Sequence, residues 1–242
     1  MVLYSRELEH MIPKIIHYCW FGNKPKSPLI EGCIQSWKSH CKDYTLIEWS
    51  EETFDVSSHP FTSQMYKEKK FAFVTDYVRL VALEKYGGIY LDTDMFLVQN
   101  IDTLLNTELL LGKESDAFIS CGMIGAIPHH YFIKKCMGFY DNIKNFSLLR
   151  PNPTIITEIF NNEPVTGARI LPPKAFYPYT SGDIKKYKGQ TLSSDVYGVH
   201  LWNYSWGHPL NKFFIKIGVH KLGIQVTEKL RIKKLLKKIL HF

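Results

Sequence analysis

The chain has 242 residues, of which 45% are hydrophobic and 22% charged, a composition typical of a soluble globular protein with one large domain. Its formal net charge is +7, but residues 226–242 contain six basic residues and one acid, so the other 225 residues carry only +2. The body of the chain therefore lacks the basic face that binds nucleic acid, and we expect no nucleic-acid partner.

The first elements in chain order are a strand, a helix and a strand. An apolar run after Pro13 predicts a strand over Lys14–Tyr18, and the glycine and prolines of residues 21–28 predict a loop. Apolar residues at helical spacing predict a helix over residues 29–41, and alternation predicts a second strand over Tyr44–Trp49. This order is that of a βαβ unit in an α/β protein.

The strongest helical pattern of the sequence covers residues 62–86, where we predict one amphipathic helix. The glycine pair at residues 87–88 ends it, because glycine tolerates the left-handed conformation found at helix C-termini. A short apolar strand, Ile89–Leu91, follows, and it leads directly into the acidic pair Asp92 and Asp94.

The second half of the chain has weaker patterns. It predicts a strand over Ala117–Ala126 and a helix over His129–Lys144. Residues 150–185 are rich in proline, which predicts long loops or short strands. Residues 196–206 read as a β-like stretch followed by an aromatic loop. Without repeats or a low-complexity linker, the simplest organisation is one α/β domain with a helical tail.

The pair Asp92 and Asp94 is the first candidate site. Carboxylates two apart on an extended segment point to the same side, and together they can hold Mg²⁺ or Mn²⁺. A nucleoside diphosphate is a poor leaving group until a cation neutralises its charge. The Asp-x-Asp pattern is also common in solvated turns. The apolar segments on both sides favour a metal site, because buried acids need a compensating charge.

The stretch Phe71–Val98 closely resembles the sugar-binding region of glycosyltransferase family 32, which includes mannosyltransferases and bacterial capsule or lipopolysaccharide sugar transferases. The resemblance extends over about residues 12–126 and includes the opening run Ile12–Gly22. It rests on three elements in the family's order and spacing, an Asp-x-x-Arg, a Gly-Gly-x-Tyr and an Asp-x-Asp, here Asp76, Arg79, Gly87, Gly88, Tyr90, Asp92 and Asp94.

The resemblance implies a glycosyltransferase A fold, with a Rossmann-like mixed central sheet flanked by helices. It implies that Asp94 is the metal ligand bridging to the diphosphate. Asp92 is expected to contact the sugar or ribose and to support the metal. Asp76 and Arg79 are expected to bind the donor sugar hydroxyls and the phosphate. The alternative for these last two residues is an ion pair on the surface of a helix, which would contribute little.

Four further residues are similar to donor-binding positions of the family. Trp20 resembles the aromatic residue that stacks on the nucleotide base, with a core tryptophan as the alternative. His200, Ser205 and Trp206 resemble a late segment that closes over the diphosphate. His200 is expected to complete the metal shell, because imidazole can bind manganese, or else to be structural. His17 is expected to be structural.

The resemblance implies a retaining hexosyltransferase with Asp92, Asp94 and Arg79 as its catalytic residues and Mn²⁺ or Mg²⁺ as its cofactor. A UDP-hexose is the favoured donor, and a glycan or lipid-linked oligosaccharide of a surface polysaccharide the expected acceptor. One alternative is a metal-dependent nucleotide-sugar hydrolase or phosphoesterase, although such sites usually gather more metal ligands. The other is a non-catalytic sugar-binding module.

The C-terminal tail and the cysteines indicate where in the cell the protein acts. Residues 1–225 are assigned to the catalytic domain and residues 226–242 to a basic amphipathic helix suited to an anionic membrane surface, or else packed against the domain. The five cysteines form no Cys-x-x-Cys pair, which indicates reduced thiols. The first ten residues do not resemble a signal peptide. We therefore expect a cytoplasmic protein, peripheral on the inner face of the plasma membrane.

Overall fold

The computed structural model describes residues 11–143, 146, 150–163, 165 and 167–203. These residues fall into two compact units. The first unit contains the described residues up to Pro178 together with Thr191–His200, and it includes every strand and helix discussed below. The second contains Tyr179–Gln190 and, of the described residues, 201–203. The predicted boundary at residues 225–226 lies outside the described residues.

The first unit is built on a six-stranded mixed sheet with the order β2-β1-β3-β6-β5-β7, and a separate two-stranded sheet pairs β4 with β8. The strands of both sheets, in chain order, are β1 (Ile15–Cys19), β2 (Thr45–Trp49), β3 (Gly88–Leu91), β4 (Met95–Leu97), β5 (Leu109–Lys113), β6 (Ile119–Ala126), β7 (Ala168–Leu171) and β8 (Gly198–His200).

Five α-helices accompany the sheets in the described part of the chain: α1 (Pro28–His40), α2 (Pro60–Lys67), α3 (Phe71–Tyr86), α4 (Tyr131–Asn142) and α5 (Asn152–Asn162). Buried side chains of the last four helices form one hydrophobic core with the central strands. Helix α1 instead holds β4, since the indole of Trp37 donates to Met95 O at 2.7 Å. None of the helices in the described residues is long and apolar enough to cross a membrane.

The predicted βαβ unit is confirmed. Strand β1 pairs in parallel with β2 on one side and with β3 on the other, and α1 makes the crossover between β1 and β2. Strand β6 then runs antiparallel to both β3 and β5. The carboxyl ends of β1 and β3 therefore meet at one edge of the sheet, where Trp20 follows β1 and Asp92 follows β3.

The prediction of a single helix over residues 62–86 is wrong, because α2 and α3 are separate helices. Between them Lys69 adopts a positive φ of 56°, which no α-helix can contain. The apolar periodicity continues across this break because both helices bury side chains in the same core, including Phe61, Met65 and Val74. The apolar spacing of the sequence therefore continues from α2 into α3 although the helix itself is interrupted.

The prediction of loops or short strands over residues 150–185 is also wrong in part, since α5 occupies Asn152–Asn162. Its prolines stand at the start of the helix, where a missing N–H costs nothing and a fixed φ favours helical geometry. Strand β7 and short 3₁₀ turns account for much of the rest of this segment. The sequence patterns gave no prediction for β5.

The turn between α3 and β3 requires glycine. Gly88 has a φ of 97°, and a Cβ there would lie 2.7 Å from Ile15 O, closer than side chains approach. Next to it, the buried ring of His17 bridges two elements: its Nε2 donates to Gly87 O at 2.8 Å, and its Nδ1 accepts from the Trp49 indole at 3.2 Å. His17 therefore fits the expected structural role.

These contacts make His17 a pH-sensitive point in the fold. Burial lowers its pKa from 6.5 to about 4, only partly offset by the bond to Gly87. Below pH 6.5 the unfolded chain binds a proton that the native ring rejects, so stability present above pH 6.5 is lost as the pH falls towards 4. We expect a loss of about 3 kcal/mol in unfolding free energy over this range.

The measurement is urea unfolding of the wild type and of His17→Gln between pH 4 and 7.5. The variant should be less stable at neutral pH and should show a shallower pH dependence. His40→Gln, a partly exposed histidine at the end of α1, is the matched control and should keep the slope of the wild type. Parallel curves for wild type and His17→Gln would exclude His17 as the titrating group.

Candidate functional site

Helix α3 presents Asp76 and Arg79 on one face, because residues three apart on a helix are neighbours. The guanidinium lies 2.9 Å from the Asp76 carboxylate, and both side chains are almost fully buried. Asn152 of α5 also donates to Asp76, at 3.0 Å. Burial raises the pKa of Asp76 to about 6, while Arg79 and Asn152 favour its charged form. The two residues are therefore not a surface ion pair.

Arg79 connects three elements of the site. Its Nη1 donates to Cys121 O of β6 and lies 3.4 Å from the Asp92 carboxylate. Its guanidinium stacks over the ring of Tyr90 in β3 at 4.5 Å, a cation–π contact. A planar guanidinium with several fixed donors can serve all these partners at once, which the single ammonium of a lysine cannot do.

Asp92 is held from one side and open on the other. The Tyr90 hydroxyl donates to its carboxylate at 2.9 Å, and its backbone N–H donates to Gly122 O at 2.9 Å. Its side chain nevertheless remains 30% exposed. The carboxylate is thus fixed by Tyr90 and Arg79 and still accessible to a ligand.

Asp94 meets His200 because β4 and β8 pair antiparallel, with Met95 opposite His200. The imidazole Nε2 lies 3.2 Å from the Asp94 carboxylate, and both side chains are mostly buried. Burial lowers the pKa of His200, but Asp94 and Asp92 outweigh this effect, and the net shift is upward. Strand pairing therefore brings together two residues that are far apart in the chain.

Asp92, Asp94 and His200 together can hold a metal ion. One ligand atom from each lies within 4.8 Å of the others, and among the described residues they are the only such group of three. Two carboxylates and an imidazole are ligands suited to Mn²⁺, and the carboxylates also suit Mg²⁺. Arg79 supplies one positive charge beside three carboxylates, those of Asp76, Asp92 and Asp94, and a divalent cation would add the balancing charge.

Strand β6 departs from regular pairing at this site. Leu111 of β5 faces Ile124, yet Lys113 faces Ile119, so Gly112 alone lies opposite residues 120–123. Such bulges free backbone groups from the ladder and often lie beside functional sites. Here the carbonyls of this segment accept from Arg79 and from the backbone of Asp92.

Tyr177 and Ser120 lie behind the metal-ligand group, and the sequence patterns did not identify either residue. Their hydroxyls are hydrogen-bonded to each other, and the Tyr177 ring packs on His200 with centroids 5.1 Å apart. Both residues are buried. Tyr177 follows a proline-rich loop and Ser120 lies within a hydrophobic strand, and neither setting has a sequence signal that would select them.

The remaining predicted residues are placed differently. Trp20 is half-buried at the carboxyl edge of the sheet, where its indole donates to Lys24 O at 2.6 Å and Lys26 lies 5.7 Å above its ring. This places it at the sheet edge that carries Asp92, and stacking on a base stays a prediction. Ser205 and Trp206 lie outside the described residues.

Comparison with known proteins finds a family model that matches this part of the chain. Residues 27–111 match the family model described as "Glycosyltransferase sugar-binding region containing DXD motif". Residues 27–111 therefore correspond to the sugar-binding region that this glycosyltransferase family model describes. The matched residues include α3, the glycine pair and both acids of the Asp-x-Asp, and they lie inside the stretch where the sequence resembles glycosyltransferases, so that resemblance is confirmed.

Individual relatives and a solved structure agree with the family model. Human "Lactosylceramide 4-alpha-galactosyltransferase" is 30% identical over an alignment of 148 residues, which covers 54% of this chain and 41% of the relative. Yeast "Mannosyl phosphorylinositol ceramide synthase CSH1" (Saccharomyces cerevisiae) is 31% identical over 129 residues, 52% of this chain and 34% of the relative. The match thus spans about one third to two fifths of the length of these curated relatives.

The solved structure titled "PaToxG Glycosyltransferase" superposes with a TM-score of 0.51, covering 65% of this chain and 71% of that one at 20% identity. The predicted fold class, a glycosyltransferase A fold with a mixed central sheet flanked by helices, is confirmed.

Gly122 keeps the space that the Asp92 carboxylate occupies. A Cβ at this position would lie 2.8 Å from Asp92 Oδ2 and 2.6 Å from the Tyr177 hydroxyl. Gly122→Ala should therefore displace both groups. Because displaced supporting contacts typically cost 10–100-fold in metal affinity, we expect manganese binding to weaken by about tenfold or more. Calorimetric titration with MnCl₂ measures this.

Gly138→Ala is the matched control for this variant. Gly138 lies inside α4, and a Cβ there would meet nothing within 4 Å. Because alanine favours the helix, the control should gain about 0.5–1 kcal/mol in unfolding free energy and keep its manganese affinity. Equal manganese affinities for Gly122→Ala and Gly138→Ala would show that Asp92 does not depend on the space at Gly122.

Proposed function

We propose that this chain is a metal-dependent, retaining glycosyltransferase that moves a hexose from a nucleotide sugar to a glycan or lipid-linked acceptor. The observation that carries the proposal is the convergence of Asp92, Asp94 and His200 within 4.8 Å, next to the buried pair of Asp76 and Arg79. The acids belong to a family model defined by a sugar-binding region with this motif.

The contacts of each residue suggest its role in binding the metal or the donor. Asp94 and His200 are assigned to the metal, with Asp92 as a further ligand, and Mn²⁺ fits the mixed oxygen and nitrogen donors better than Mg²⁺. When bound, the cation neutralises charge on the diphosphate leaving group. Asp92 is already oriented by Tyr90 and Arg79, so its partly exposed carboxylate suits a sugar or ribose hydroxyl.

Arg79 is the main catalytic group supplied by the protein in this proposal. Its charge is fixed beside Asp92 before any substrate arrives, and a preorganised cation in a buried site stabilises developing negative charge strongly. Asp76 holds the guanidinium in place. Retention then proceeds by attack of the acceptor hydroxyl on the anomeric carbon from the face that the diphosphate leaves; the C–O bond to the phosphate breaks, and the hydroxyl proton passes to the departing phosphate oxygen.

The donor is proposed to be a UDP-hexose. The relatives are named as a galactosyltransferase, an N-acetylglucosaminyltransferase and a mannosyl phosphorylinositol ceramide synthase. UDP-galactose, UDP-N-acetylglucosamine and GDP-mannose are therefore the donors to compare, together with UDP-glucose. Two of these names contain a ceramide lipid, which supports a glycolipid acceptor. A lipid-linked precursor of a capsular polysaccharide or lipopolysaccharide is the proposed biological setting.

The test is a donor screen. Each nucleotide sugar is incubated with the protein, with MnCl₂, MgCl₂ or EDTA, and with or without lactose or a p-nitrophenyl glycoside as acceptor. Nucleotide release and the glycoside product are both measured. The proposal expects release that needs the metal and product that needs the acceptor. If the nucleotide is released equally fast with and without an acceptor and no glycoside product forms, the protein is a hydrolase. If UDP binds but no nucleotide sugar is turned over, the protein is a sugar-binding module.

We also propose that the protein acts at the inner face of the plasma membrane through its basic tail, residues 226–242, which lies outside the described residues. Six basic residues beside leucines and isoleucines favour an anionic lipid surface. Liposomes containing phosphatidylglycerol should therefore bind the full chain more tightly than a chain ending at Gln225, and salt should weaken the difference. Equal binding of both chains would refute this part of the proposal.

A further inference from the structure

The hairpin between β5 and β6 brings another carboxylate to the site. Lys113 pairs with Ile119, and beyond them the Glu114 N–H donates to Phe118 O at 3.0 Å, so Glu114 and Phe118 lie opposite each other. Phe118 N–H donates to Ser115 O at 3.3 Å and closes the turn. Opposite residues of an antiparallel pair project from the same face of the sheet. Glu114 and Phe118 therefore share a face.

That face is the one that carries the candidate site. Ser120 is two residues after Phe118 and projects to the same side, because side chains alternate along a strand. Its hydroxyl is bonded to Tyr177, and the Tyr177 ring packs on His200. The geometry of the hairpin thus directs Glu114 towards the metal-ligand group, although no sequence motif includes it.

The electrostatic environment of the Glu114 carboxyl agrees with this direction. The Glu114 carboxyl is largely buried, and its charged neighbours are His200 and Asp92. Burial raises its pKa, partly offset by His200. It is not one of the three residues whose ligand atoms lie within 4.8 Å of one another. Glu114 therefore lies near the metal-ligand group without belonging to it.

Phe118 adds an apolar surface next to this carboxylate. It is 40% exposed, whereas Ile119 and Ser120 after it are buried. Binding sites for small molecules typically combine aromatic surface with a few polar groups that fix orientation. A sugar ring offers both partners, since its C–H face is apolar and its hydroxyls donate hydrogen bonds that a carboxylate accepts strongly.

We propose that Glu114 and Phe118 form the acceptor subsite, where Glu114 accepts hydrogen bonds from hydroxyls of the terminal acceptor sugar and Phe118 packs against its ring. The ligand class is a hexose at the end of a glycan. This subsite deepens the transferase function proposed above and rests on it. Glu114 orients the acceptor and takes no part in binding the nucleotide or the metal.

The experiment compares the wild type with Glu114→Gln and Phe118→Ala, using the UDP-hexose that the wild type turns over fastest, MnCl₂, and lactose as acceptor. Loss of a hydrogen bond to a charged group should raise the KM for lactose by about tenfold or more in Glu114→Gln. Phe118→Ala should also raise it. The dissociation constant for UDP with manganese and the slow UDP release without acceptor should stay at wild-type values in both.

Glu52→Gln, an exposed glutamate in another loop, is the matched control and should change none of these constants. Glu114 is excluded from the subsite if the wild type transfers to lactose and Glu114→Gln keeps its KM. The assignment is also overturned if a variant loses UDP affinity, or UDP release without acceptor, by the same factor as it loses transfer. The substituted side chain would then act on the donor. If the wild type neither binds UDP with manganese nor releases it, the transferase proposal itself fails, and the subsite falls with it.

Discussion

Asp94→Asn should lower transfer by about 10²-fold or more, because the amide keeps the shape of the side chain but removes a charge that holds the metal. Asp94 lies 3.2 Å from His200 and belongs to the group of three ligands. The variant should also bind manganese more weakly, which titration calorimetry detects without turnover. Both losses should exceed those of the corresponding Asp92 variant, whose carboxylate is shared with Arg79 and Tyr90.

Asp43→Asn serves as the control for Asp94→Asn. Asp43 is an exposed aspartate before β2, at the opposite edge of the sheet, where it pairs with Lys14 at 2.6 Å. Surface pairs of this kind contribute little, so both manganese affinity and transfer should stay at wild-type values. Wild-type transfer by Asp94→Asn in the presence of manganese would contradict the metal-centred mechanism.

The first half of the fold could be predicted because its signals are local. A strand, a loop, a helix and a strand succeed one another; apolar patterning identifies the strands and the helix, and glycine and prolines identify the loop. The glycine pair after α3 is also read correctly, since Gly88 sits where a Cβ would collide with Ile15 O. Strands β1, β2 and β3 are neighbours in the sheet, although β1, the first of them in the chain, lies between the other two.

Prediction failed where a local pattern had more than one meaning. Prolines at residues 151 and 153 suggested loops, yet a proline in the first turn of a helix removes no hydrogen bond, and α5 begins there. The break at Lys69 was missed because α2 and α3 bury their apolar faces in the same core. Composition does not distinguish one long helix from two that share a core.

The residues of the candidate site likewise fall into those that a local motif contains and those that only the tertiary structure brings together. Asp76, Arg79, Asp92 and Asp94 lie within one short stretch, so a motif can contain them all, and the family resemblance assigned their roles. His200 joins Asp94 only through the pairing of β4 with β8, which no periodicity indicates. Tyr177, Ser120 and Glu114 reach the site through a loop, a bulged strand and a hairpin. Their positions depend on tertiary structure and had no signal in the sequence.

Arg79→Met should have the largest effect on stability, since it leaves Asp76 buried without its cation. Removing one partner of a buried ion pair typically costs about 3–5 kcal/mol. The pair here is almost fully buried, and Arg79 also holds Cys121 O and stacks on Tyr90, so we expect a loss in that range by urea unfolding. Transfer should fall by at least about 10²-fold at temperatures where the variant is folded.

The double variant Asp76→Asn with Arg79→Met separates these two effects. Neutralising Asp76 removes the uncompensated charge, and Asn152 can still hydrogen-bond to the new amide, so much of the lost stability should return. Transfer should not return, because Asp92 and the donor phosphate still lack the guanidinium. Arg79→Lys tests the geometry of the same contact, since its single ammonium cannot serve Asp76, Asp92 and Cys121 together. Recovery of transfer along with stability would mean that Arg79 supports the fold only, and catalysis would then have to rest on the metal ligands alone.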